Sequence, residues 1–336
     1  MHTAFQSLTP GQRESPVAED FPAWRAPMLA TLVDEASSRE NWIYERKLDG
    51  VRCLVYCHAG QVQLYSRNQN EMNAAFPELV SAFERQSKTD YVVDGEIVAF
   101  DGQVSSFSRL QNRIHIQDPE KARAVGVDVF LYVFDVLHLD GYDCTELHQR
   151  SRKELVRTLF NYADPIRFLP HRNTDGEAYF AEACQKGWEG IIAKDGEAKY
   201  VGSRSRSWQK FKCVAQQELV IGGFTEPQGS RIGFGALLVG YYQNGDFNYA
   251  GKVGTGFDDD TLRELHQQMA AIEQDAPAFR EADDLPNRDV HWVRPELVAE
   301  IGFDEWTEAG KLRQPRYLGL RKDKAAEDVV RERGDG

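Results

Sequence analysis

Two lysines in Trp208-Gln209-Lys210-Phe211-Lys212 stand at the alternating spacing of a strand, which puts both on one side and the aromatics on the other. Like charges so close repel unless an anion lies between them, so the pair points to a bound phosphate. Asp94-Gly95-Glu96 sets two carboxylates at the same period-two spacing, facing one side of a strand. Glu45-Arg46-Lys47-Leu48-Asp49-Gly50-Val51-Arg52 places a lysine at a strand-to-strand turn, with an acid, a glycine and an arginine following it. Alone, that pattern also describes a charged surface turn. Tyr132 and Phe134 share a strand face with Asp135 next in line, and Glu189-Gly190-Ile191-Ile192-Ala193-Lys194 is an apolar strand with an acid at its start and a base at its end. Each of these also occurs in an ordinary core. Arg321-Lys322-Asp323-Lys324 closes the series near the C-terminus.

Short strands must position these groups. Trp42–Arg46 is strand-like, and Arg52–His58 and Gln61–Ser66 flank a hairpin turn at Ala59-Gly60. Tyr91–Phe100 and Val127–Leu139 are β-prone and end at Asp101-Gly102 and Asp140-Gly141. Helices are expected after Pro77, over Thr145–Phe160 and over Gly176–Lys186, the last capped by Gly187. Glu189–Lys194 and Ser207–Cys213 read as strands again. After Cys213 come Glu218–Phe224, Gly235–Tyr242, Asp246–Val253, Val290–Val293 and Leu297–Trp306, short strands with one helix inserted over Asp259–Gln274. Five strands and one helix in about 120 residues fit a small Greek-key barrel of the OB type. The expected class is α+β: antiparallel sheets with flanking helices over 26–213, a β-barrel over 214–336, and a loose polar arm over 1–25.

The length of 336 residues suits two domains. Hydrophobic residues at 41% and aromatics at 11% exclude broad disorder. No apolar run reaches the roughly 18–20 residues of a membrane span. The N-terminal residues lack the basic-then-apolar pattern of a secretory leader, so the cytoplasm is the expected compartment. Five scattered cysteines without a C-x-x-C pair argue against a disulfide framework and against structural zinc. A net charge of −13 argues against a general nucleic-acid binder. Local charge differs: Lys199, Arg204, Arg206, Lys210 and Lys212 fall in a stretch free of acids, and Lys311–Lys324 is strongly basic, which permits a polyanionic partner.

In chain order, K-x-D-G-x-R (Lys47–Arg52), Ser66-Arg67-Asn68, D-G-E (Asp94–Glu96), F-D (Phe134-Asp135), E-G-I-I-A-K (Glu189–Lys194), W-x-K-x-K (Trp208–Lys212) and R-x-D-K (Arg321–Lys324) resemble the motif series of ATP-dependent DNA ligases, within the covalent nucleotidyltransferase superfamily. Trp292-Val293-Arg294-Pro295, Phe303–Thr307 and Leu318–Arg321 further resemble the ligase domain of bacterial ligase D. The polymerase and phosphoesterase modules that often accompany that domain do not appear in this sequence, as in a stand-alone form.

The resemblance implies a nucleotidyltransferase domain followed by an OB-fold domain. It implies that Lys47 attacks the α-phosphate of ATP and holds AMP as a phosphoramidate, that AMP passes to a DNA 5′-phosphate, and that the 3′-hydroxyl then displaces it. An ordinary lysine, with a pKa near 10.4, is only about 0.1% neutral at pH 7.4, a cost of roughly 4 kcal/mol. Asp49, Glu96 and Glu189 favour the ammonium, so positive charge must stand close: Mg²⁺ or Mn²⁺, Arg52, Lys210 or Lys212. By resemblance Glu189 is the first metal ligand and Asp94 the second. Glu96 contacts the ribose and Phe134 stacks on adenine, with Tyr132 the weaker stacker. Arg52 and Arg67 hold phosphates, and Lys210 and Lys212 the α-phosphate. Asp49 and Lys194 belong to the nucleotide site, and the backbone near Glu45 reads the adenine edge. Arg321, Asp323 and Lys324 reach the pyrophosphate, which implies a hinge near 213–218. The implied partners are nicked or broken duplex DNA and a Ku-type end-binding clamp, with the chain itself a monomer. An RNA ligase or capping-type nucleotidyltransferase is the nearest alternative, and a non-catalytic nucleic-acid scaffold the remote one.

Overall fold

Alternation of apolar and polar residues builds the strands that carry the motifs. The computed structural model describes residues 3–13, 16–33, 35–86, 89–229, 231–280, 285–286, 289–321 and 324–332. One unit ends at Cys213 and a second begins at Val214. The first unit contains β1 (Leu29–Leu32), β2 (Trp42–Lys47), β3 (Val51–His58), β4 (Gln61–Tyr65), β5 (Tyr91–Val98), β6 (Phe130–Leu139), β7 (Gly190–Asp195) and β8 (Arg204–Lys212). Its main helices are α1 (Pro77–Glu84), α2 (Phe107–Ile114), α3 (Gln149–Leu159) and α4 (Gly176–Gln185). In one sheet β4, β3, β5 and β6 run antiparallel, extended by Tyr142–Asp143 and Val17–Ala18, with Ile166–Phe168 parallel to β6. In the other, His171–Arg172, β2, β7, β8 and β1 follow in that order, antiparallel except for β8 with β1.

Strand faces then assign the layers. Val51, Cys53, Val55, Val93, Ile97, Leu131 and Val133 pack against Leu79 and Phe83 of α1 and Leu155 and Val156 of α3. The opposite face of that sheet (Leu54, Tyr56, Val92, Phe134, Leu137) meets Trp208 of the second sheet and Met28, just before β1. The second sheet's far side (Tyr44, Ile191, Ala193, Phe211) lies against Tyr179 and Ala183 of α4. Helix, sheet, sheet, helix is the order, and each buried apolar side chain contributes about 1.5–3 kcal/mol. Pro77 starts α1 where a missing N–H is harmless. Gly187, at φ +68°, ends the turn after α4.

Three expectations are corrected here. The described residues of the arm over 1–25 are not loose: Phe5 and Leu8 are buried in the α3-side core, Val17–Ala18 pairs with Tyr142–Asp143, and the Phe21 ring stacks on His58 at 4.4 Å. A few apolar residues anchor a segment whose average composition is polar. Cys184 and Cys213 form a disulfide, 29 residues apart in sequence and 5.1 Å apart between Cα atoms, because α4 packs on the sheet and Cys213 directly follows its strand β8. Cys53, Cys57 and Cys144 are free and buried. Trp208 sits on the lysine side of β8, facing Phe134, and only Phe211 faces α4. Period-two counting puts residues 208, 210 and 212 on one side.

The second unit contains β9 (Ala215–Thr225), β10 (Leu237–Gln243), β11 (Asp246–Val253), α5 (Asp259–Ala270), β12 (Val290–Val293), β13 (Val298–Phe303) and β14 (Arg316–Arg321). β9 pairs with β10 along one edge; along the other, Ala215–Val220 pairs with β13 and Gly223–Thr225 with β12. A strand serving two neighbours in succession curls its sheet toward a barrel. Leu262, Leu265 and Met269 of α5 join its core. β1, α2 and β14 were not expected from the sequence. Among the described residues no helix is long and apolar enough to cross a membrane.

Candidate active site

Lys47 ends β2 and Gly190 begins β7 directly opposite it. Glu189, one residue earlier, therefore reaches Lys47, with Oε1 2.5 Å from Nζ. Gly190 has φ +152°, and a Cβ there would lie 1.8 Å from the carbonyl oxygen of Phe211, so only glycine lets β8 approach. Lys212 and Lys210 of β8 stand opposite Gly190 and Ile192. Burial pushes the Glu189 carboxyl up, but the charges of Lys47, Lys212 and Lys210 prevail and hold it below its ordinary range. Three lysines thus converge on one ionised carboxylate, a grouping of ammonium groups that suits a polyphosphate.

The turn after Lys47 is built by its neighbours. A Cβ on Gly50 would lie 2.2 Å from the carbonyl oxygen of Ile97. Asp49 accepts at Oδ2 from the Phe107 amide at 3.0 Å, and its own amide donates to Ser105 Oγ at 3.0 Å. The acid expected at the nucleotide thus anchors the start of α2.

Arg52 donates from Nε and Nη2 to the two oxygens of Asp94, each at 2.5 Å, and from Nη2 to the Met28 carbonyl at 3.1 Å. Tyr200 donates to Asp94 Oδ2 at 2.6 Å. Burial works against the Arg52 charge, and Asp94 more than compensates, raising its pKa above the ordinary value. Asp94, the second metal ligand that the resemblance implies, is fully buried and engaged at both oxygens by Arg52 and Tyr200. Glu96, two residues on, is half-buried, opposite Arg52 on β3 and Tyr132 on β6.

Glu45 is buried between Lys153 Nζ at 2.5 Å and Lys194 Nζ at 2.8 Å. Burial raises its pKa, but the two lysines hold it below the usual carboxylate range. Burial in turn brings Lys153 down to about 8 against the pull of Glu45. Lys194 Nζ also lies 3.9 Å from the Trp208 ring centroid and 4.4 Å from that of Phe134, while the Arg52 guanidinium is 4.8 Å from Phe134. Phe134, the expected adenine stacker, is 7% exposed among these groups. Tyr132 instead lines an open cavity and accepts from Arg167 Nη1 at 3.0 Å. Asp135 turns away to Arg152 (2.7 Å) and Gln149 (3.1 Å) of α3. Gln149, Arg152 and Lys153 escaped the sequence reading, although their spacing of three and four marks a second, polar stripe on α3.

Arg67 is half-buried in the turn after β4, which Ser66 closes through its amide to the Asn70 carbonyl at 2.9 Å. In the second unit, Arg321 Nη1 lies 3.5 Å from Glu300 and Lys324 Nζ lies 3.1 Å from Glu218. Asp323 lies outside the described residues. Among the described residues no three His, Cys, Asp or Glu side chains gather as a metal site. A hard cation that keeps its waters and takes phosphate oxygens needs few protein ligands, and the ionised Glu189 is a fitting donor.

Residues 27–212 match the family described as "ATP dependent DNA ligase domain", and residues 230–324 match "ATP dependent DNA ligase C terminal region". The chain belongs to the ATP-dependent DNA ligase family. Curated relatives include the multifunctional non-homologous end joining DNA repair protein LigD of Mycobacterium tuberculosis, 38% identical over 314 residues, covering 91% of this chain and 40% of that protein. LigD of Pseudomonas aeruginosa is 34% identical over 323 residues, covering 94% of this chain and 38% of its own length. The chain thus spans about 40% of the length of these relatives. Among solved structures, it is similar to the mycobacterial DNA ligase D complexed with ATP and MES, with 34% identity and a TM-score of 0.65 over 92% of this chain and 98% of that one. The architecture is that of a nucleotidyltransferase domain followed by an OB-fold domain.

Proposed function

We propose that this chain seals breaks in duplex DNA at the expense of ATP, carrying AMP on Lys47. The observation that supports this most is Lys47 Nζ at 2.5 Å from Glu189, with Lys210 and Lys212 on the adjoining strand. Lys47 Nζ, its proton released to solvent, attacks the α-phosphorus with its lone pair. An N–P bond forms, the P–O bond to pyrophosphate breaks, and AMP remains as a phosphoramidate. AMP then passes to the 5′-phosphate of the broken strand. The 3′-hydroxyl attacks that phosphorus, a new phosphodiester forms, and AMP leaves.

Lys210 and Lys212 meet the charge that develops on the α-phosphate. Arg52, fixed by Asp94, and Arg67 hold phosphates, the planar guanidinium suiting two oxygens at once. Glu96 contacts the ribose, and the backbone beside Glu45 reads the adenine edge. Phe134 supplies the stacking face. A divalent cation, Mg²⁺ or Mn²⁺, held at Glu189 and by the phosphates, would neutralise phosphate charge. Arg321, Asp323 and Lys324 serve the pyrophosphate. DNA is held by phosphates without base readout, since sealing needs position and not sequence. A Ku-type end-binding clamp is the proposed partner, and the chain works as a monomer.

The test is sealing of a nicked duplex with DNA or RNA strands, supplied with ATP, GTP or NAD⁺. Sealing of DNA with ATP alone is expected. Arg321→Ala should block self-adenylation while sparing a pre-adenylated nick. Equal loss of both would count against a role confined to the first step.

A further inference from the structure

Arg46, the residue before the reacting lysine, lines a cavity of about 650 Å³ built wholly from the first unit. That size lies within the roughly 300–1,000 Å³ of small-ligand pockets. Arg46, Phe100, Phe130, Tyr132, Arg167 and Trp188 line it. Arg46 directly precedes Lys47 and Trp188 directly precedes Glu189, so two walls of the cavity belong to the segments that present the reacting pair.

The charges in this cavity are not equivalent. Arg167 is held by Asp164 at 2.6 Å, and Lys186, also at the wall, by Glu182 at 2.6 Å. Arg46 has no carboxylate partner among the described residues. Its guanidinium lies 4.3 Å from the Trp188 ring centroid and 5.8 Å from Phe100, and Nη2 donates to the Gln103 carbonyl at 3.1 Å. Its Nε is buried with no hydrogen-bond partner. Burial lowers its pKa from the ordinary value, opposed only by Tyr132 and Tyr179. A buried donor left unmade is costly, and a stacked guanidinium without an acid is ready for an anion. The rings around it offer flat faces to a base.

We propose that this cavity is a subsite for one unpaired nucleotide of a broken DNA strand, its phosphate on Arg46 and its base against Trp188 and Tyr132. The proposal rests on the DNA-sealing reading, because it takes the strand end as the source of the nucleotide. The chemistry of the pocket, one unbalanced cation among aromatic rings, matches a single nucleotide better than a duplex, whose bases are already stacked.

The test compares the affinities of the wild-type chain for two labelled duplexes by fluorescence anisotropy. One carries a single-nucleotide 3′ overhang, and the other is the same duplex with a flush end. The wild type should prefer the overhang by about tenfold, the scale of one stacked base. Arg46→Gln and Trp188→Leu should each bring that ratio toward one, with thermal unfolding confirming that the variants fold. A wild-type ratio near one, or a ratio that survives both substitutions, would overturn the proposal. Failure of the wild type to form an adenylate adduct would sink the ligase reading instead, and the ratio would still report on the pocket.

Discussion

Two ionic clusters lie two residues apart on β2 and behave differently. Around Lys47, one carboxylate, Glu189, faces three lysines, and the Lys47 side chain is 20% exposed. Around Glu45, the partners Lys153 and Lys194 are both buried, and the neighbouring Asp135 is matched by Arg152 and Gln149. The inner cluster is buried throughout and joined by its own ion pairs. The outer one reaches solvent at Lys47. Perturbed ionisable groups that solvent still reaches are where a charged ligand can bind. The inner network keeps β2, α3 and β7 in register, and the outer group uses that rigidity.

The contrast can be broken by substitution. Lys212→Ala should slow adenylate transfer to Lys47 by about a hundredfold or more, as for removal of one charge-stabilising group at a phosphoryl centre. It should leave stability unchanged or slightly raised, because it relieves repulsion; rapid-quench labelling and urea unfolding read the two effects. Lys153→Ala should do the reverse. Stripping Glu45 of a buried partner should cost about 3 kcal/mol in a urea titration, with adenylation falling only as the folded fraction falls. If Lys153→Ala instead abolished adenylation in a fully folded chain, the division between the clusters would fail. Asp94→Asn should fall between them, weakening the Arg52 clamp by about 1–3 kcal/mol and raising the ATP concentration needed for half-maximal labelling.

The smallest effect belongs to a half-exposed ionic group in the second unit. His291 is held by Glu226 at 2.6 Å and by Glu273, and these contacts raise its pKa above the ordinary value. A raised folded pKa stabilises fully below the unfolded value near 6.5 and loses that stabilisation as pH rises through the folded value. The Tm gap between wild type and His291→Gln should therefore be larger at pH 6 than at pH 9. A gap independent of pH would assign His291 to packing on Phe224 alone.

Much of this arrangement was legible in local pattern. K-x-D-G, E-G-I-I-A-K and W-x-K-x-K marked strands β2, β7 and β8, the turn at Ala59-Gly60 marked a hairpin, and Asp140-Gly141 marked the end of β6. What pattern could not supply was which neighbour each polar group meets. Asp94 and Glu96 share a face, yet one is clamped by Arg52 and Tyr200 while the other is half-buried. Asp49 reads as a ligand-facing acid, but long-range packing delivers the Phe107 amide to it. β1 and β14 are short or charged at their ends and gain their strand character only from β8 and β13. Cys184 and Cys213 meet through tertiary packing alone.

The central claim is that Lys47 becomes covalently joined to adenylate. Intact mass after incubation with ATP and a divalent cation measures it directly. The wild type should gain one AMP, mapped to Lys47, and Lys47→Ala should gain none. An adduct on Lys47→Ala, or no adduct on a folded wild type, would contradict the account.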